Sequence, residues 1–322
     1  MTSHAKSAWS HLRRGRAASV ASATAVTAAL AALLAGCGGS SDGSSDAVAG
    51  DAGGDAVVVG SNNFAESTLL ADVYGEALKT QGFKVTYKPS GSRETTYGLL
   101  KNGALTVLPE YNGALLAYLD PKAGPTTVAT TDAAISAKLD PRLELLKPAP
   151  AQDKDSVTVN AATAAKYHLT TASTIADLGK VAGEITIGGP PEFQTRQQGL
   201  PGLKSVYGLV PKAFKALDPS GTLTQAALSN DKVQAADIFT TDVSIAKEKF
   251  VVLRDPKNLF GFENVVPLVY RSGLSQKGVD TLNALSAKLD TAALLAMDAQ
   301  VASGGKDPMV VARTWLASVG LS

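Results

Sequence analysis

Short apolar runs alternate with segments of helical period from residue 56 to the end of the chain, and the pattern occurs twice. Runs such as "AVVVG" at 56–60 and "EITIGG" at 184–189 have the length and β-branched content of buried strands. This alternation is typical of mostly parallel sheets with helices on both faces. We therefore expect an α/β protein of two lobes joined by crossing segments, with a single doubly wound sheet as the alternative. Either arrangement places a ligand at the carboxyl ends of strands.

The first 54 residues differ in composition from the rest and contain the single cysteine, Cys37. A cationic stretch with Lys6 and three arginines precedes an uncharged, alanine-rich run, which is typical of an export signal. The residues "LAGC" at 34–37 resemble the lipobox of bacterial lipoproteins, in which the chain is cut before a cysteine that carries lipid. The Gly- and Ser-rich residues that follow predict a flexible tether.

These features predict the domain organisation and the location of the protein. We expect a lipoprotein signal peptide at 1–36, a tether at 37–54, the first part of lobe I at 55–154, lobe II at 155–243 and a return to lobe I at 244–322. The expected location is the extracytoplasmic side of the cell membrane, with Cys37 as the lipidation site. A membrane-spanning helix and a chance buried cysteine are the alternatives for this segment, and the export route, Sec or Tat, stays open.

Charge and residue content argue against several functional classes. Four of the 30 Lys and Arg residues precede Cys37 and all 29 Asp and Glu residues follow it, so the processed chain would be mildly acidic. No basic block is present, which argues against nucleic-acid binding. His168 is the only histidine after Cys37, so a Cys/His metal site is not expected and a catalytic triad lacks a nucleophile elbow. We predict no metal, no cofactor and no enzymatic activity.

Several segments together resemble the substrate-binding proteins of osmoprotectant ABC importers, which serve glycine betaine, choline, carnitine and related amines. These segments are "VVVGSNNFAESTLLADVYGEAL", "LPEYNGALL", "PPEFQTRQQGLPGLKSVYGL", "AADIFTTD" and "LRDPKNLFGFENVVPLV". The resemblance covers nearly all of residues 56–322. It implies a two-lobed periplasmic binding protein of type II, whose first lobe is completed by the C-terminal segment.

The resemblance also implies a binding site built from aromatic rings. A quaternary ammonium has no N–H to donate, so aromatic faces recognise it through cation–π attraction. Tyr111 matches the tyrosine of the family's "PEY" motif, and Phe239 stands where the family often has Tyr. Arg196 lies in the segment that can supply an arginine for a ligand carboxylate. Asn62 and Asn63 lie at a strand-to-helix turn whose amides suit an anionic group.

Departures from the family pattern alter the expected ligand. Asn62 replaces a frequent Lys, Ala114 replaces a frequent Thr, and a late tyrosine is replaced by Phe262 and Glu263. Near an expected aromatic position the chain has "DKD" at 153–155, which makes Asp155 a candidate partner for a cation. We therefore hypothesise a cationic or zwitterionic solute that carries hydrogen-bond donors, rather than glycine betaine itself.

Each candidate also has a purely structural interpretation. Tyr111 and Phe239 could be core residues, Arg196 could pair with Glu192 on the surface, and Asn63 could cap the following helix. For the whole chain we expect a solute-binding protein that closes its lobes around a ligand and serves an ABC permease and ATPase. A ligand-sensing lipoprotein of the same fold and an extracellular enzyme are the alternatives.

Overall fold

The computed structural model describes residues 56–123 and 127–322, and these residues contain two separate five-stranded sheets. The signal, the tether and Cys37 lie outside the described residues. Two sheets confirm the two-lobed α/β fold and exclude the single doubly wound sheet. In each sheet four strands share one direction and one strand opposes them, so both sheets are mostly parallel, as predicted.

The first sheet has the strand order β2-β1-β3-β10-β4. Its strands are β1 (Ala56–Asn62), β2 (Lys84–Gly91), β3 (Val107–Tyr111), β4 (Leu143–Leu145) and β10 (Val265–Tyr270). The late strand β10 lies antiparallel between β3 and β4, with Val265 opposite Tyr111. This insertion brings the chain from Val265 onward back to the first lobe.

The second sheet has the strand order β7-β6-β8-β5-β9. Its strands are β5 (Val157–Val159), β6 (Thr186–Gly189), β7 (Ala213–Ala216), β8 (Ala235–Asp237) and β9 (Val251–Val252). The sequence analysis ended lobe II at residue 243, whereas β9 pairs with β5 in the second sheet. Lobe II therefore extends beyond residue 243 to include β9. The sequence did not indicate this, because a short apolar run does not show which sheet its strand will join.

Helices cover both sheets, and several belong to the first lobe although they lie at the end of the chain. They are α1 (Ala65–Thr80), α2 (Arg93–Lys101), α3 (Asn112–Leu119), α4 (Val128–Lys138), α5 (Ala161–Lys166), α6 (Ile175–Gly179), α7 (Leu200–Tyr207), α8 (Thr222–Ser229), α9 (Ser244–Lys247), α10 (Gln276–Ser286), α11 (Thr291–Ala302) and α12 (Pro308–Ser318). Among the described residues, no helix is both long and apolar enough to span a membrane.

Helix α1 is buried on most of its surface because it lies between the first sheet and the late helices α10 and α12. Leu69, Leu70, Val73 and Leu78 are fully buried in the same core as residues of the late helices. Burying a leucine or valine side chain contributes about 1.5–3 kcal/mol. The packing therefore holds the N-terminal end of α1 firmly at the edge of the sheet, where the candidate site lies.

Two crossing segments, 149–155 and 261–265, run side by side in opposite directions between the lobes. Backbone bonds join the Val265 amide to the Ala151 carbonyl at 3.0 Å and the Asp153 amide to the Glu263 carbonyl at 3.1 Å. Two connections of this kind permit a hinge motion of one lobe against the other.

Candidate functional site

A cavity of about 60 Å³ lies between the lobes, where strands of both sheets end. Its lining includes the last residues of β1, β3 and β8, which are Asn62, Tyr111 and Asp237. The carboxyl ends of parallel strands are the usual place for a ligand in α/β proteins. The fold therefore builds a polar crevice at the position expected from the strand pattern.

Seven of the eight residues predicted to bind ligand line this cavity. They are Asn62, Asn63, Tyr111, Asp155, Arg196, Phe239 and Glu263. Their contact with a ligand stays a prediction. The eighth, Phe262, is not among the lining residues, and its ring instead lies 5.9 Å from Lys154 Nζ. The backbone of Phe262 packs tightly against Gly113. A Cβ atom at position 113 would lie 2.2 Å from the Phe262 carbonyl oxygen.

Phe64 lies at the centre of an aromatic cluster in the cavity wall. Its ring centroid is 5.9 Å from that of Tyr111 and 5.0 Å from that of Phe239, the latter in an edge-to-face arrangement. Phe64 comes from lobe I and Phe239 from the loop after β8, so the cluster joins the lobes. Phe64 was not among the residues predicted from the sequence, although it directly follows Asn62 and Asn63.

The loop position of Phe239 corrects one element of the sequence analysis. The segment "DIFTTD" at 237–242 is predicted as a strand, whereas β8 ends at Asp237. Residues beyond the strand end leave the sheet plane, so Phe239 faces the crevice instead of the core of lobe II. The same loop places the Thr241 hydroxyl 2.6 Å from Glu66 Oε2 across the lobes.

The hydroxyl of Tyr111 already makes a hydrogen bond within the protein. Tyr111 Oη donates to Glu66 Oε1 at 2.5 Å, and the residue is only 4% exposed. Because its hydroxyl is bonded within the protein, Tyr111 presents to the cavity chiefly its ring.

The two asparagines have different environments. Asn62 is buried, and its side-chain oxygen accepts a bond of 2.8 Å from the Thr96 hydroxyl. Asn63 is exposed and does not cap α1, because Phe64 occupies the N-cap position and makes no side-chain capping bond. The helix-cap interpretation of Asn63 is therefore wrong.

Both arginines that line the cavity are paired with carboxylates. Arg93 Nε donates to the two carboxylate oxygens of Glu110 at 3.1 and 3.0 Å in a buried pair. Arg196 donates through Nε and Nη2 to Glu94 at 3.1 and 3.0 Å, which links the two lobes. The side chain of Arg196 pairs with Glu94 and not with the carboxylate of Glu192, the expected alternative partner, although the Arg196 amide donates to the Glu192 carbonyl at 3.0 Å.

Carboxyl groups form another part of the lining. Glu263 accepts from the Ala114 amide at 3.0 Å and from Gln198 Nε2 at 2.8 Å. Burial raises the pKa of the Glu263 carboxyl well above its usual range, and the charge of Asp155 adds to this. Burial also raises the pKa of Asp155, while the positive charges of Arg196 and Arg93 oppose that shift.

A cavity lined by both aromatic rings and carboxyl groups is suited to bind a small organic cation. A match to the family described as the substrate binding domain of ABC-type glycine betaine transport systems extends over residues 55–318. The chain belongs to this family. Members of the family are substrate-binding components that work with the permease subunits of import systems, and they are not enzymes.

Individual relatives align with half or more of this chain. The glycine betaine-binding protein YehZ of Escherichia coli strain K12 is 27% identical over 281 residues, which cover 82% of this chain and 90% of that protein. The ergothioneine transport permease/ergothioneine binding protein EgtU of Helicobacter pylori strain G27 is 25% identical over 169 residues, or 52% of this chain and 30% of that protein.

A solved structure of the same architecture supports the fold. The crystal structure of a glycine betaine/carnitine/choline ABC transporter has a TM-score of 0.63 at 24% identity, and covers 82% of this chain and 99% of that chain. Within the described part of the chain, no group of three or more His, Cys, Asp or Glu residues is arranged to hold a metal ion.

Proposed function

We propose that this protein captures a small cationic or zwitterionic solute between its two lobes and delivers it to an ABC permease and its ATPase. The observation that carries the proposal is the cavity at the strand ends, whose lining combines aromatic rings from both lobes with carboxyl groups. Ring faces attract a desolvated cation by about 2 kcal/mol or more. The surrounding carboxylates add attraction for the same charge.

Binding is coupled to closure because both lobes supply contacts. The lobes meet through Arg196 and Glu94 and through Thr241 and Glu66. A solute that touches Tyr111 in lobe I and Phe239 in lobe II would stabilise the closed arrangement over an open one. A difference in affinity between the two states is sufficient to shift their populations.

The first test is calorimetric titration of the purified protein with glycine betaine, choline, carnitine and ergothioneine. We expect saturable binding of at least one of these or of a closely related amine, together with a rise in the melting temperature on binding. Absence of binding across such amines would contradict the proposed ligand class. Tight binding of glycine betaine would contradict the narrower hypothesis that the altered site prefers another solute.

The aromatic cluster can be tested by the substitution Phe64→Leu. The change removes a ring face but no hydrogen bond, and we expect affinity for the bound cation to fall about tenfold, since one ring contributes on the order of 1–2 kcal/mol. Tyr167→Leu is the matched control, because Tyr167 pairs with Lys166 and Glu184 on the outer surface of lobe II. Unchanged affinity in Phe64→Leu, measured by calorimetry, would remove Phe64 from the site.

We further propose that the protein is anchored by lipid at Cys37 on the extracytoplasmic side of the membrane. The apolar run before Cys37 and the Gly- and Ser-rich residues after it support this. Cells that express the full chain should incorporate labelled fatty acid into the protein, and Cys37→Ser should abolish both the label and sedimentation with membranes. Membrane association that survives Cys37→Ser without label would favour a spanning helix.

A further inference from the structure

Asp237 has a buried carboxylate oxygen with no partner in the described protein. The residue ends β8, is 2% exposed and lines the cavity between the lobes. Its Oδ1 atom makes no hydrogen bond. A buried carboxyl oxygen without a hydrogen-bond partner is costly whether or not the group is ionised, and an unsatisfied group of this kind calls for an explanation such as a ligand or ion that completes it. The sequence analysis placed Asp237 in a strand and gave it no role.

Asp155 lies in the same cavity and is also unengaged. Its side chain makes no hydrogen bond to any residue in the described ranges, and it is partly open to the crevice. Burial raises the pKa of Asp237 well above its usual range, and the charge of Asp155 raises it further. Both carboxyls line the one cavity, and a negative charge on Asp155 disfavours ionisation of Asp237.

The nearby cations do not serve as hydrogen-bond partners of this pair. Arg93 directs its Nε at Glu110, and Arg196 directs Nε and Nη2 at Glu94. Of the other carboxyls in the lining, Glu263 has a donor on each oxygen, from Ala114 and Gln198, and Asp153 accepts from the Thr240 hydroxyl and the Thr241 amide. Among the lining carboxyls of the described chain, Asp237 Oδ1 is therefore the fully buried oxygen without a donor, and the unbonded side chain of Asp155 lies in the same lining.

A ligand that donates N–H groups would satisfy carboxylate oxygens that have no hydrogen-bond donor. A trimethylated ammonium has no N–H and would leave Asp237 Oδ1 without a donor. A primary ammonium presents three donors and a guanidinium presents five, and bonds between such donors and carboxylates are among the stronger ones in proteins. Phe64, Tyr111 and Phe239 accept either type of cation on their ring faces.

We infer that the cleft selects a solute whose positive centre is an ammonium or guanidinium bearing N–H groups, bonded to Asp237 and Asp155, over its trimethylated counterpart. The inference rests on the proposed function and narrows the class of solute. A site that hydrogen-bonds its substrate rejects an analogue that lacks the donor, because the polar groups of the protein are left unpaired.

Matched solute pairs that differ only in N-methylation test this directly. The purified full chain is titrated by calorimetry with ethanolamine and choline, with γ-aminobutyrate and γ-butyrobetaine, and with L-lysine and Nε-trimethyl-lysine, and agmatine is added as a guanidinium probe. We expect the N–H member to bind at least tenfold more tightly in every pair that binds, or agmatine to bind alone. If trimethylated members bind more tightly, this inference fails while the proposed function stands. If no probe binds, this inference fails, and the proposed function fails with it only if glycine betaine, carnitine and ergothioneine also do not bind.

Substitution of the carboxylates provides the second arm. Asp237→Asn keeps the shape of the side chain but removes its charge, and should weaken binding of the N–H solute at least thirtyfold while changing any trimethylated solute less than threefold. Asp280→Asn is the control for the same chemical change on the exposed face of α10. Melting temperatures verify that each variant is folded.

Asp155→Asn covers the case in which Asp237→Asn does not fold, since the Asp155 side chain makes no hydrogen bond within the described chain. It should weaken the N–H solute at least tenfold. Unchanged affinity for the N–H solute in Asp155→Asn, and in Asp237→Asn where it folds, would overturn the inference.

Discussion

Replacing Arg93 with methionine should lower the free energy of unfolding by about 3–5 kcal/mol, because it leaves a buried carboxylate without its counter-ion. Glu110 is fully buried, and Arg93 is 8% exposed. Arg93 Nε contacts both Glu110 oxygens at 3.0–3.1 Å, and the remaining bond to Glu110 is from the Tyr111 amide at 3.1 Å. Urea denaturation of the ligand-free protein measures the loss.

Two variants separate this effect from the general loss of an ion pair. Arg142→Met removes an arginine from an exposed pair with Asp140, and should cost less than about 1 kcal/mol. The double variant Arg93→Met with Glu110→Gln removes both charges and should recover much of the stability. A loss below about 1 kcal/mol in Arg93→Met would show that water or another group solvates Glu110.

The ligand-free protein should become less stable as the pH rises from about 5 to about 8. Burial raises the pKa of Asp298 to about 7. Burial and the charge of Asp298 raise the pKa of its neighbour Glu66 well above the usual range. In this window the folded state holds protons that the unfolded chain, with ordinary carboxyl pKa values near 4, has lost. Stability therefore falls with pH, by up to about 1.4 kcal/mol per pH unit for each such group.

The carboxyls that form ion pairs do not cancel the fall in stability between pH 5 and 8. Although burial opposes it, ion pairs with Arg313 and Lys79 hold the pKa of Glu76 at about 2. Arg196 likewise holds the pKa of Glu94 at about 2 against burial. The stability from these pairs is present above the unfolded pKa near 4 and is lost only as the pH falls below it. It is therefore constant between pH 5 and 8.

Thermal unfolding across this pH range gives the measurement, and Asp298→Asn gives the matched variant. Removing the charge of Asp298 should flatten the profile and raise the melting temperature at pH 8, whereas Asp280→Asn at the surface should leave the profile unchanged. A melting temperature that rises steadily from pH 5 to 8 would mean that Glu66 and Asp298 are solvated in the folded protein.

The sequence by itself determined the fold class and most of the lining of the site. Strand and helix periods follow from local side-chain patterns, so the elements around β1, α1 and β6 were predictable to within a few residues. The family resemblance then located Tyr111, Arg196 and Phe239 on the segments that meet at the strand ends. The local pattern also predicted that Phe239 lies within a strand. This prediction was wrong, because the strand-like pattern of residues continues into the loop that follows β8.

Only the tertiary structure decided which charges pair and which stay unpaired. Arg196 meets Glu94, 102 residues away in the chain, instead of the neighbouring Glu192. Glu66 meets Thr241, and Asp237 has an oxygen with no hydrogen-bond partner among residues 56–123 and 127–322. Such contacts form between lobes that the chain crosses twice, so no local spacing encodes them. Electrostatic interactions depend on distance and burial in space, and both are set only when the two lobes come together.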